Sequence, residues 1–115
     1  MKAPTVLFSL LLLPVMASRL PAQATTPKDL YDTTCKKCHG VLGTPPKAMK
    51  EKFPKIATFD AAFIAKHSQD SIVTILTKGK NEDMKSFKGK LTPDQMVIVA
   101  RYVQELATRP RSGGS

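Results

Sequence analysis

At 115 residues and a net charge of +9, the chain has room for one domain and too little apolar surface to bury a large core without a staple or a cofactor. The positive balance points to anionic partners. Nucleic acid is excluded on the absence of any recognition motif and on the export signal described next.

The first 24 residues, "MKAPTVLFSLLLLPVMASRLPAQA", carry Lys2, an apolar run from Val6 to Met16, and Ala22 and Ala24 in A-x-A spacing. This reads as a secretory signal peptide cleaved after Ala24, with Val15 and Ala17 offering a second site. The apolar run is about half of the ~20 residues that cross a bilayer and contains Pro14, which argues against a retained membrane anchor. The leader holds no cysteine for lipid attachment. Cleavage removes Lys2 and Arg19 and leaves 16 basic against 9 acidic side chains.

A first helix is predicted from Pro27 to about His39, with Thr26 as N-cap, Pro27 at the first position and Asp29 three residues after the cap. The following stretch, "GVLGTPPKAMKEKFPKIAT", is too rich in glycine and proline for long regular structure. A short helix is expected from about Asp60 to Lys66. A longer one follows from Gln69 to Lys78, capped by Ser68, with Ile72, Ile75 and Leu76 as its buried stripe and Gly79 ending it. From Gly79 to Leu91 the chain reads as a polar loop broken by Met84 and Phe87. The last helix begins at Thr92, Pro93 and Gln95 and places Met96, Val99, Ala100, Val103 and Ala107 at helical spacing. Residues 109–115, "RPRSGGS", have no apolar side chain and read as a disordered tail. No strand alternation is visible, so an all-α domain over 25–108 is expected, with three main helices and long functional loops.

Both cysteines fall in "CKKCHG". On a helix, Cys35, Cys38 and His39 stand at i, i+3 and i+4 and share a face. Two thiols can then add to the vinyl groups at one edge of a haem while the imidazole reaches the iron, and C-x-x-C-H is the haem c attachment signature. A thioredoxin-like disulfide needs a βαβ context that is missing. Zinc would need Cys35, Cys38, His39 and His67 together, and adjacent Cys38 and His39 rarely serve one tetrahedral ion. A disulfide across one helical turn strains the sulfur torsion. His67, at a helix start, otherwise reads as a surface histidine.

A second axial ligand is expected, because a His/Met pair raises the reduction potential of haem iron. Met96 lies on the stripe of the last helix, where a thioether packs. Met49 follows His39 by ten residues, which leaves a short loop to reach the far face of the ring. Met84 lies in an irregular loop beside Phe87. Spacing alone leaves ligand and plain surface methionine side by side for it.

"CKKCHG" followed by "TKGKNEDMKSFKGKLTPDQMVIVARYVQEL" resembles the attachment site, methionine loop and final helix of the class I cytochromes c, over about Leu30 to Leu106. The resemblance implies a small cytochrome c fold with loops wrapped around one covalently attached haem. It places thioether bonds at Cys35 and Cys38 and axial ligation at His39 and Met84. It further sets Tyr31 and Tyr102 where the first and last helices cross. Three departures stand out. Lys85 follows Met84 where the family often has proline, which implies a looser loop. Pro27 occupies a position where the family commonly has a small residue, which implies a later crossing or a shorter first helix. The family's proline carbonyl that accepts from the ligand histidine has Pro45 or Pro46 as its nearest candidates.

Lys36 and Lys37 flank the attachment site, and Lys78, Lys80, Lys85, Lys88 and Lys90 surround the methionine loop. Bordering an exposed haem edge, they would steer acidic redox partners, and the same charges attract anionic membrane surfaces. The expected protein is a periplasmic monohaem carrier of single electrons, monomeric and without catalysis of its own. Two other readings are a haem sensor or small peroxidase with an open axial site, and an electron-entry subunit of a larger dehydrogenase or oxidase. Leu30, Phe53, Ile56, Ile72, Leu76 and Phe87 are expected to make the haem's surroundings apolar.

Overall fold

The computed structural model describes residues 1–4 and 26–110. The leader and the tail therefore lie almost wholly outside the described residues. Six helices follow in order: α1 (Pro27–Thr34), α2 (Lys36–His39), α3 (Lys47–Lys52), α4 (Ala61–Lys66), α5 (Gln69–Lys78) and α6 (Pro93–Thr108). Among the described residues there is no strand, only an isolated bridge between Lys88 and Leu91.

Side-chain caps set most of these starts. Thr26, Asp60, Ser68 and Thr92 each accept a backbone amide three residues on, which satisfies donors that the first helical turn leaves unpaired. Thr92 and Gln95 complete a reciprocal capping box at α6. The helices over 69–78 and 93–108 and the short one after Asp60 stand where the sequence places them.

One expectation needs correction. The first helix does not run through to His39: it breaks at Cys35, whose φ of −122° is not helical, and restarts as α2. Thr33 and Thr34 cause the break, because the Thr33 hydroxyl donates back to the carbonyls of Asp29 and Leu30 and that of Thr34 to Leu30. Back-bonding hydroxyls of this kind bend helices. The three main helices stand as α1, α5 and α6, and the glycine- and proline-rich stretch holds no long element, only the six-residue α3. Lys47 to Lys52 contain neither glycine nor proline, and the Pro46 carbonyl accepts from Met49 and Lys50 to open the helix.

The core lies where α6 meets α1, α4 and α5. Tyr31 and Tyr102 are both buried, with ring centroids 5.3 Å apart at 53°, and they mark the α1–α6 crossing. With eight residues, α1 is short, as Pro27 implies. Leu30, Ile72, Leu76, Met96, Val99, Val103 and Leu106 fill the space around the two tyrosines. Burying a side chain of this size contributes about 2 kcal/mol. The Tyr31 hydroxyl donates to the Gly40 carbonyl at 2.7 Å, which ties the buried crossing to the loop leaving α2. No helix of the described residues is long and apolar enough to cross a membrane.

Candidate functional site

Beside this core lies a cavity of about 730 Å³, within the ~300–1,000 Å³ typical of cofactor and ligand pockets. One wall is the broken turn after α1, contributing Cys35, Cys38 and His39. Although Cys35 is not helical, His39 and Cys38 donate backbone N–H to its carbonyl at 2.9 and 3.2 Å. One turn therefore survives, and all three side chains reach the same cavity. Met84 lines it from the loop between α5 and α6. Phe53, Ile56 and Phe87 line it too, half-buried, whereas Leu30, Ile72 and Leu76 are buried in the core.

Both cysteines are free thiols. Burial pushes the Cys35 thiol above its ordinary pKa, with the Thr34 hydroxyl acting in the opposite sense. His39 is a buried polar side chain, 8% exposed. Its Nδ1 lies 3.2 Å from the Ala57 carbonyl, and a carbonyl only accepts. Nδ1 must therefore carry the proton, which leaves the Nε2 lone pair available to a metal. Burial lowers the pKa of this imidazole, only partly offset by the bond to Ala57, and so favours the neutral ring that a metal requires.

The carbonyl at Nδ1 is thus that of Ala57, not of Pro45 or Pro46. Pro46 is unsuitable because its carbonyl is already engaged in starting α3. Ala57 gives no sequence signal, since the group it supplies is backbone.

The loop carrying Met84 is held at several points. Asn81 Oδ1 accepts the amides of Asp83 and Met84, and the Met84 carbonyl accepts from Lys80 at 2.9 Å. The Ser86 hydroxyl donates to the Thr77 carbonyl at 2.6 Å, and the Phe87 amide to that of Leu76 at 2.8 Å. Met96 and Met49 stand elsewhere: Met96 is buried in the core and accepts from the Thr77 hydroxyl at 3.4 Å, and Met49 sits on α3 away from the lining. His67 is also away from it, with its ring against Phe63 and its Nδ1 3.3 Å from the Ser71 hydroxyl. Among the described residues no group of three or more His, Cys, Asp or Glu side chains is placed to hold a metal ion, so the four zinc candidates do not converge.

Of the seven lysines singled out from the sequence, Lys80, Lys85 and Lys90 line the cavity. Lys36, Lys37, Lys78 and Lys88 are exposed without lining it. Lys55, which sequence reasoning passed over, joins the rim, as do the carboxylates of Glu82 and Asp83. Lys90 lies over the Phe87 ring at 5.9 Å from its centroid, a cation–π contact between two residues of the lining.

Two thiols one helical turn apart, a neutral imidazole with one free nitrogen and a thioether, all on one large half-apolar cavity, fit a covalently attached haem. The comparisons agree. The family described as "Cytochrome C oxidase, cbb3-type, subunit III" matches residues 22–103. A solved structure described as "KustC0563 c-type cytochrome" is similar to this chain at 32% sequence identity and a TM-score of 0.65, over 73% of this chain and 100% of that one. No curated protein matches.

Proposed function

Because this chain belongs to the c-type cytochromes, we propose that it is an exported monohaem carrier that passes single electrons between redox partners through one exposed haem edge. The observation that carries the proposal is the convergence of Cys35, Cys38, His39 and Met84 on one cavity. Cys35 and Cys38 would hold haem c by thioethers, with His39 Nε2 and Met84 Sδ as axial ligands. The haem supplies a one-electron iron couple, and the chain supplies everything that tunes and presents it.

The Ala57 carbonyl keeps His39 in the ligating tautomer and makes it a better donor. Phe53, Ile56 and Phe87 line the cavity and would give a bound haem apolar surroundings, which disfavours the more highly charged oxidised state. Lys80, Lys85 and Lys90 at the rim, with Lys36, Lys37, Lys78 and Lys88 around it, attract acidic docking surfaces. Steering of this kind accelerates encounter by roughly 10- to 1,000-fold at low salt. The leader through Ala24 directs the chain to the periplasm, where it works as a monomer and catalyses no reaction of its own.

The test is the absorption spectrum of the exported protein in both oxidation states, with and without carbon monoxide. The carrier shows a haem c spectrum, a far-red methionine–ferric band that disappears in Met84→Ala, and indifference to carbon monoxide. A haem spectrum without that band, and rapid carbon monoxide binding, would instead mean an open-site sensor or peroxidase.

One observation favours a second reading. The matched family is described as a subunit of a cbb3-type oxidase, which supports service as the electron-entry subunit of a larger complex. The particle size in native extracts separates a free carrier from a bound subunit.

A further inference from the structure

The ring of Phe59 lies against the ring of His39, with centroids 4.5 Å apart and planes inclined by only 18°. Parallel contact at this separation is an offset stack, and it constrains the rotation of both rings. The carbonyl that meets His39 Nδ1 comes from Ala57, two residues earlier. One short segment therefore holds the imidazole twice, at its edge by a hydrogen bond and across its face by a ring.

Phe59 is itself held from several sides. Its amide donates to the Gly43 carbonyl at 2.8 Å. Phe63 packs against it at 5.0 Å and Tyr31 meets it edge-on at 6.4 Å. Gly43 closes the remaining side: a Cβ there would stand 2.8 Å from the Phe59 Cβ and 2.9 Å from its Cδ2. A ring clamped in this way transmits its orientation to whatever stacks on it.

We propose that Phe59 is a positioning residue for the axial imidazole, fixing the rotation of the His39 ring about its bond to iron. The proposal rests on the reading of His39 as an axial ligand. Hydrogen bonding at Nδ1 chooses the tautomer but leaves the ring free to pivot about the line from Nδ1 to the carbonyl, and the stack removes that freedom. The plane of an axial imidazole decides along which direction of the porphyrin the unpaired electron of the ferric state spreads. Phe59 would thereby select which part of the haem rim carries the electron outward.

The test uses the intact haem protein and proton NMR. In the reduced, diamagnetic state, cross-peaks between the Phe59 and His39 ring protons are expected, and their absence overturns the proposal without any mutation. In the oxidised state the four haem-methyl resonances report the imidazole plane. Phe59→Leu, which keeps apolar bulk but loses the flat face, should reorder or compress them, whereas Phe59→Tyr, which keeps the face, should retain the wild-type pattern. An unchanged pattern in Phe59→Leu, or equal disturbance in both variants, reduces Phe59 to packing and overturns the proposal. If Phe59→Leu does not fold, the cross-peaks and the Phe59→Tyr pattern decide. A wild-type protein without covalent haem would sink the carrier reading itself, so the two failures are distinguishable.

Discussion

Asn81 Oδ1 lies 2.9 Å from the amide nitrogen of Met84 and 3.0 Å from that of Asp83, so a single side-chain oxygen closes the turn just before the methionine. This Asx-type turn stands where the chain lacks a stiffening proline after Met84, the next residue being Lys85. Asn81→Ala releases both amides to water. Each such bond contributes about 1 kcal/mol, so with Met84 bound to iron as proposed, imidazole should displace it up to roughly thirtyfold more easily. The measurement is an imidazole titration followed by loss of the far-red band. Asn81→Asp, which keeps the acceptor, should restore the wild-type affinity, and identical affinities in all three proteins would show that the turn does not brace the ligand.

Gly79 ends α5 at φ 76° and ψ 165°, a conformation adopted essentially by glycine alone. A Cβ at that position would stand 2.7 Å from the Ser86 amide nitrogen and 3.1 Å from the Met84 carbonyl oxygen. Gly79→Ala should cost about 2 kcal/mol, lowering Tm by roughly 10 °C for a domain of this size. Gly89 is the control, since its φ is also positive but a Cβ there meets nothing within 4 Å. Gly89→Ala should cost only about 1 kcal/mol, and equal losses in thermal melts would mean that the contact with the methionine loop is immaterial.

Burial, reinforced by the neighbouring Tyr102, raises the pKa of the Tyr31 phenol well above its ordinary value. The folded protein therefore keeps a proton that the unfolded chain loses near pH 10. Stability from this group is complete below that pH and declines as pH rises toward the higher folded value. Guanidinium unfolding at pH 8 and pH 11 should show a smaller alkaline loss in Tyr31→Phe than in the wild type. That variant should also be about 1 kcal/mol less stable at pH 8, because the buried hydrogen bond from Tyr31 to the Gly40 carbonyl is lost.

The rim of the cavity carries Lys55, Lys80, Lys85 and Lys90 against Glu82 and Asp83. Oxidation by ferricyanide, an anion, should be fast at low ionic strength and slow with added salt. The double variant Lys80→Glu, Lys85→Glu should slow this reaction roughly tenfold and speed the reaction with cationic hexaammineruthenium. Stopped-flow rates that do not respond to either change would rule out a steering role for these lysines.

The parts of the fold legible in the sequence are those whose signals are local. The starts of α4, α5 and α6 are written in Asp60, Ser68 and Thr92, whose side chains bond amides three residues away. Neither α2 nor α3 has a side-chain cap bond at its start, and neither was read as an element of its own. Cys35, Cys38 and His39 were legible because one helical turn brings them together. Met84 needed the resemblance as well, since its approach to the cavity depends on how α5 and α6 pack. Asn81, three residues before Met84, was a readable turn signal that went unused. Ala57 and Lys55 were not readable, because their place at the cavity follows from the path of the chain after α3 and not from their chemistry.

The methionine loop leaves α5 at Gly79 and rejoins the body at Leu91, whose amide bonds the Phe87 carbonyl just before the Thr92 cap of α6. Its two ends are therefore fixed on helices that pack against each other, while His39 belongs to a separate segment braced by Ala57 and Phe59. Opening can then be confined to the strap between those posts, at a free energy well below that of unravelling the helices. Backbone amides over 80–86 should exchange with solvent long before those of α6. With Met84 bound to iron as proposed, a domain built this way would let go of that one ligand and take it back with its globular framework undisturbed.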